Sequence, residues 1–377
     1  MTNRSMSSNM IENKKKPEPF LLKPSGKDYL WGGSRLNDDF SKGIDMSPLA
    51  ETWECSTHPD GPSIVASGAF AGQTLTEVLK AHPEYLGSRL RAPCTRLRVP
   101  CTRLGVSGTH SAGEQGAHPK MSGALSEPSG ELPILIKLID AKKDLSVQVH
   151  PSDAYAREHE NGQLGKTEMW YVLDAKKDAK LIYGLYHDVT KEQLRRSIED
   201  GTVEKYLQKV PVKKNDLFYI EAGTIHAIGA GVLVAEIQES SNLTYRLYDY
   251  DRVGKDGKKR ELHIDKALET ADLSASAEPR QPLRVLKYRR GCASELLCRC
   301  KYFEVYRMLV NTERCRELVD YRADGSSFRV LLCTDGCGCI TFGNQSLSFF
   351  RGDCIFVPAD SVELKIHGQA QFLDVRG

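Results

Sequence analysis

The chain has 377 residues, 40% hydrophobic and 27% charged, a globular composition with room for two or three domains. Its formal net charge is only +2, so no global field draws it to nucleic acid or to an anionic membrane. No apolar run approaches the roughly 18–20 residues of a membrane span, and 11 cysteines, an odd number in a long chain, do not make a secreted disulfide framework.

Residues 1–17 are polar, carry the run Asn13-Lys14-Lys15-Lys16, and lack the apolar centre of a signal peptide. They read as a flexible tail on a cytoplasmic protein. Residues 18–270 read as strands and turns with short helical inserts. Inside them, residues 88–130 stand apart. Arg89-Leu90-Arg91-Ala92-Pro93-Cys94-Thr95 is repeated almost verbatim as Arg96-Leu97-Arg98-Val99-Pro100-Cys101-Thr102, and a Gly/Ser/His-rich stretch follows. With no hydrophobic period, this reads as a disordered insertion.

The next elements follow by composition and turn chemistry. Leu132–Val149 reads as a strand pair around Ala141-Lys142-Lys143-Asp144, and Met169–Leu173 with Ala179–Tyr183 reads as a second hairpin. At Thr190 the period changes. Leu194, Ile198, Val203 and Leu207 behind a Thr-Lys-Glu-Gln start predict a capped helix or two short ones over 190–208. Leu217–Ile220 and Val232–Ile237 return to strand. Residues 281–377 form a second β region of short strands bounded by Gly, Asp and Asn. A weak repeat links the halves: Asn215–His226 resembles Gly352–Glu363, with His226 opposite Glu363. Two C-x-C pairs, Cys298/Cys300 and Cys337/Cys339, would need to converge to bind a metal, and otherwise read as small residues on strand faces.

The chemistry concentrates in three places. Gln148 and His150, two apart, share a strand face, while Glu168 and His226 each lie in a strand-like run of their own. Two histidines and a carboxylate are the ligand set of an open catalytic metal site, with Gln148 as a fourth ligand through its amide oxygen. The set suits zinc, and equally iron, manganese or cobalt. Each residue alone is ordinary; the Q-x-H-P turn, the Glu before an aromatic strand and the G-x-x-H turn together are cupin-like. Arg246 and Arg252, six apart on an extended strand, would share a face and bind an anion by their planar forks. For Arg252 the competing reading is a surface pair with Asp249 or Asp251.

From about Pro19 to Gly377, the insertion excepted, the chain resembles the type I mannose-6-phosphate isomerases in their shorter bacterial form. The motifs that carry the resemblance are Leu30-Trp31-Gly32-Gly33, Glu51-Thr52-Trp53-Glu54, Leu145-Ser146-Val147-Gln148-Val149-His150-Pro151, Gly165-Lys166-Thr167-Glu168-Met169-Trp170-Tyr171, Gly223-Thr224-Ile225-His226-Ala227 and Tyr245–Arg252. The resemblance implies two cupin-like jelly-roll barrels, mainly β, with a small helical insertion, the first barrel catalytic and the second without metal. It implies one zinc per chain on His150, Glu168 and His226, with Gln148 added in some members, and Arg246 as the active-site arginine. The substrate would be a small sugar phosphate; the chain, one barrel with a second packed on it, reads as a monomer. The reaction moves a proton between C2 and C1, which calls for a Lewis acid and for a base serving both carbons on one face, a cis-enediol route. Glu236, Lys137 and a metal-bound hydroxide are the base candidates. Lys137 alternatively meets the phosphate, and Glu236 alternatively supports a ligand histidine. A sugar-phosphate-binding cupin without activity and a metal-cupin oxygenase are the rival readings.

Overall fold

The computed structural model describes residues 15–91, 130–254, 257–277, 279, 281–313 and 317–377. Most of the expected tail and insertion therefore lie outside the described residues. The protein is built as stacked β layers: a five-stranded, a six-stranded and a ten-stranded sheet.

The six-stranded sheet is the middle layer. Its strands Ile134–Ala141 and Val232–Glu239 are buried along their whole length, as their near-continuous apolar sequences require. Period-2 alternation sends their side chains to two different cores. Ile134, Ile136, Leu138, Leu233, Ala235 and Ile237 pack with Phe20, Val330, Phe356 and Leu373 of the ten-stranded sheet. Ile139, Val232, Val234, Trp170 and Val172 point the other way, against Leu181, Val210 and Ile228 of the five-stranded sheet. The outer face of the five-stranded sheet is covered by Leu194 and Ile198 of helix Lys191–Glu199 and Leu268 of helix Ile264–Thr270. The former starts in a capping box between Thr190 and Gln193.

The ten-stranded sheet closes over a core of its own, which includes Leu331, Ile355, Ile366 and Phe372. Two of its strands come from the start of the chain: Phe20–Lys23 pairs with Cys354–Val357 and with Ile64–Val65. The repeat seen in sequence corresponds to strands Leu217–Ile220 and Cys354–Val357, each placed before a turn.

Four expectations need correction. Strands Ile134–Ala141 and Val147–Val149 do not pair, and neither do Glu168–Ala175 and Lys180–Leu185; each couple is split between the six- and five-stranded sheets. A short turn between two β runs can close a hairpin or carry the chain across to a facing sheet, and local alternation is the same for both. Glu236 and Arg246 likewise lie in different sheets, on strands Val232–Glu239 and Tyr245–Tyr248. Arg252 is not on a strand with Arg246: the strand ends at Tyr248, and Tyr250 and Asp251 take φ of 55° and 53°, which turns the chain away. Helices Leu75–Ala81, Asp153–His159 and Ile264–Thr270 lie outside the one insert located in sequence, at 190–208.

Phe356 is fully buried and stacked between Phe20 and Phe328, with 5.3 Å between ring centroids on each side. Phe356→Ala is expected to cost about 3–5 kcal/mol, read from the midpoint of denaturant unfolding.

Candidate metal centre and active site

Two rows of side chains, one on each sheet, face each other across the inner core. On the six-stranded sheet, register places Lys137 between Trp53 and Glu236, and Glu236 beside Trp170. On the five-stranded sheet, Gln148 lies between Arg246 and His226. Glu168 opens strand Glu168–Ala175 and pairs with Gln238. His226 opens strand His226–Ile228 after a turn at Gly223, whose φ of 92° suits glycine. His150 follows strand Val147–Val149, where Pro151, lacking an N–H, ends the ladder.

The sheets meet at Glu168. Its Oε2 is 3.5 Å from His150 Nε2 and its Oε1 3.4 Å from His226 Nε2. All three residues are buried and their ligand atoms lie within 4.8 Å of one another. The outer nitrogens settle the tautomers. His150 Nδ1 donates to the Leu243 carbonyl at 2.8 Å, and His226 Nδ1 to the Thr224 carbonyl at 2.8 Å. Each ring therefore turns a bare Nε2 lone pair inward. Burial holds both rings neutral, pulling His150 down to about 3, with the Lys166 charge adding to the effect, and lowering His226 as well. Neither His150 Nε2 nor either Glu168 oxygen makes a hydrogen bond. Acceptor atoms turned on one another without protons between them repel, so this donor set fits a divalent cation. The Gln148 amide nitrogen sits 3.3 Å from His226 Nε2, and a half-turn of the amide would present its oxygen instead.

Burial alone would raise Glu168; the Lys166 ammonium outweighs it and holds the carboxylate well below its ordinary range. Lys166 Nζ lies 2.8 Å from Glu168 Oε2, at angles that form an ion pair rather than a hydrogen bond, and 3.8 Å from Glu236 Oε1. Glu236 accepts from Trp170 Nε1 at 3.0 Å and pairs with Lys137 Nζ at 3.1 Å. Burial and then the Glu168 charge raise its pKa. For Lys137, burial favours the neutral amine, but Glu236 and Glu51 overcome it and keep the ammonium.

A cavity of about 260 Å³ opens onto this pair of rows, walled by Lys137, Glu236, Gln148, Lys166, Arg246 and Arg260. Arg246 Nη1 donates to the Glu261 carbonyl at 2.7 Å, while its buried Nε has no hydrogen bond. Burial, then neighbouring Arg260, lowers its pKa. Arg252 lines an adjoining cavity of about 300 Å³, with Arg260, Tyr29 and Trp31. It contacts Asp249 and the Asp144 carbonyl. Asp249 also accepts from Arg260 Nε at 2.8 Å. The sequence-level pair of Arg252 with Asp249 is thus present, and the same carboxylate aims a second arginine.

The structure brings together Gln148, His150, Glu168, His226, Lys137, Glu236 and Arg246, and places Arg252 in the adjoining cavity. Sequence reasoning missed Lys166 and Arg260. Lys166 is two residues from Glu168, the same spacing that joined Gln148 to His150. Arg260 sits in Lys258-Lys259-Arg260, which reads as a solvated basic run. Among the described residues the one potential metal group is His150, Glu168 and His226; the C-x-C pairs form none.

The type I phosphomannose isomerase catalytic-domain model matches residues 20–97 and 109–164, and the mannose-6-phosphate isomerase cupin-domain model matches residues 294–376. The chain is 35% identical to mannose-6-phosphate isomerase ManA of Bacillus subtilis over 357 residues, 94% of this chain and 97% of the relative. It is similar to a crystal structure of the Bacillus subtilis mannose 6-phosphate isomerase, with a TM-score of 0.78 and 32% identity, over 95% of this chain and 99% of that one. A zinc-bound holo mannose 6-phosphate isomerase shares the fold at 15% identity, with a TM-score of 0.68 over 96% of this chain and 100% of that one. Fold and site together define a cupin enzyme with a candidate metal centre. The chain belongs to the type I mannose-6-phosphate isomerases, also called phosphomannose isomerases. No helix among the described residues is long and apolar enough to cross a membrane.

Next to the centre, Glu239 accepts from the Thr167 amide at 2.8 Å. Burial, then the charge of Asp153, raises its pKa to about 8. Between roughly pH 4.5 and 8 the folded form holds a proton that the unfolded chain has released. This contribution to stability is present in full below pH 4.5 and lost as pH rises through about 8. In metal-free protein, Glu239→Gln is expected to show a weaker fall in unfolding free energy over that window than the unsubstituted chain, measured by denaturant titration at several pH values.

Proposed function

We propose that the chain interconverts mannose 6-phosphate and fructose 6-phosphate with one zinc ion, through a cis-enediolate. The observation that carries this reading is the convergence of two bare imidazole Nε2 atoms on the Glu168 carboxylate, beside the Lys137–Glu236 pair. His150, Glu168 and His226 would hold the ion, with Gln148 as a fourth ligand, and the zinc-bound isomerase of the same fold favours zinc over other metals. Bound there, zinc supplies Lewis acidity that stabilises negative charge on the sugar oxygens.

The chain's own residues do the rest. Glu236 is the proton carrier between C2 and C1: burial makes it a stronger base than an ordinary carboxylate, and Trp170 Nε1 fixes one of its oxygens. Lys137 stays an ammonium and so is no base. It holds Glu236 in place and offsets charge as the enediolate forms. Arg246, on the facing row, stabilises the same charge from the other side. Three guanidiniums, Arg246, Arg252 and Arg260, are set against two carboxylates: Asp249, bonded to Arg252 and Arg260, and Glu261, near Arg246, and this positive excess suits a phosphate dianion. Arg252 and Arg260 are its candidate anchors.

In this division of labour the catalytic unit spans about residues 18–270, and residues 281–377 form a unit without metal. A sugar phosphate is charged and does not cross a membrane unaided, which points to the cytoplasm.

Chelation is expected to abolish formation of fructose 6-phosphate in a coupled assay, and stoichiometric zinc to restore it; full activity in the chelated protein would sink the zinc requirement. Glu236→Gln is expected to lower kcat about 10²–10⁴-fold and to stop exchange of the substrate C2 proton with solvent, followed by NMR in deuterium oxide. Unchanged exchange would move the base elsewhere.

A further inference from the structure

The ten-stranded sheet reaches the metal centre through the tip of one hairpin. Strands Cys292–Arg299 and Glu304–Asn311 are joined by a tight turn in which the Cys300 amide donates to the Phe303 carbonyl at 3.0 Å. Phe303 is buried in the core shared with the six-stranded sheet, and Tyr302 packs against it. The two tip side chains converge on one carboxylate oxygen: Lys301 Nζ and Tyr302 OH each donate to Asp153 Oδ2 at 2.9 Å.

Asp153 is well placed to pass this contact on. It begins helix Asp153–His159, three residues after His150. Its other oxygen, Oδ1, accepts from the Gly165 amide at 3.2 Å, three residues before Glu168. The Lys166 amide donates to the Pro151 carbonyl at 3.0 Å, so the segments carrying the two ligands run side by side. They touch closely, since a Cβ at Gly165 would stand 2.4 Å from the Asp153 nitrogen. On the far flank the Thr167 amide donates to Glu239 Oε1 at 2.8 Å. Three consecutive N–H groups ahead of Glu168 are thus pinned, two of them by carboxyl side chains. A segment held this way has little freedom to displace the side chains that follow it.

We propose that Tyr302 and Asp153 are positioning residues: the hairpin tip of the C-terminal sheet clamps Gly165–Thr167 through Asp153, and so sets Glu168 and Lys166 against His150. The inference rests on the metal-site reading above. It gives the sheet without metal a task in catalysis, since removing one phenolic hydroxyl there reaches the ligand geometry.

The test is Tyr302→Phe in the full chain, which keeps the ring and its packing. Zinc affinity, by competition with a chromogenic chelator, is expected to fall about tenfold. Amide exchange over Gly165–Trp170 in the metal-free protein is expected to speed up, and kcat to drop while KM for mannose 6-phosphate holds. Asp153→Asn, which keeps an acceptor for Gly165, should retain more zinc affinity than Asp153→Ala. Lys301→Ala, at an exposed position, should move the same readouts less than Tyr302→Phe. Wild-type zinc affinity and wild-type exchange in Tyr302→Phe overturn the clamp, and so does a lower Tm with both unchanged. His226→Ala serves as the control in the same competition: unaltered zinc affinity there overturns the metal-site reading, while the exchange measurement still decides whether the clamp exists.

Discussion

Burial of charge in the middle sheet is the constraint on which the rest of the structure depends. Glu168, Glu236, Lys137 and Lys166 are all buried. An unpaired carboxylate or ammonium in such a place would be neutralised or would unfold the protein. Here each charge is met by another: Lys166 by Glu168, Lys137 by Glu236 and Glu51. The arrangement is possible because the six-stranded sheet is covered on both faces and shows these groups on one side only, opposite histidines whose outer nitrogens are already bonded.

The same burial divides the chemistry between similar groups. Glu168 and Glu236 are both buried carboxylates, yet they shift in opposite directions. Glu168 feels the Lys166 ammonium and stays ionised, as the proposed role of metal ligand requires. Burial, then the Glu168 charge, raises Glu236, as the proposed role of base requires. Lys137 is held as an ammonium by two carboxylates, Glu236 and Glu51. The layered fold extends the division: one sheet supplies Glu168 and Glu236, the facing sheet supplies His226, Gln148 and Arg246, and the third supplies a tyrosine and a lysine that bond to Asp153, whose other oxygen accepts from Gly165.

Much of the site was legible in the sequence because its signals are local. Gln148 and His150 share a face by spacing alone, Glu168 stands at the head of an aromatic strand, and His226 follows a glycine turn. The N-cap at Thr190 was legible for the same reason, since Gln193 three residues on completes it. What was not legible depends on partners far along the chain. Lys166 matters because Glu236 and Glu168 lie near it, Arg260 because Asp249 aims it, and Asp153 because Tyr302 arrives from nearly 150 residues away.

The sequence by itself determined the ligand types, the β character of the chain, the resemblance that names the family and the absence of a second histidine set in the C-terminal repeat. These are properties of residue identity and short spacing. Only the tertiary structure decided that the two expected hairpins are crossings between sheets, that Glu236 and Arg246 face each other from different sheets, and that Arg252 leaves the strand of Arg246. The physical reason is that alternation and turn residues specify a strand and its inward face, while the choice of neighbouring strand rests on hydrogen bonds and core contacts made across long stretches of chain.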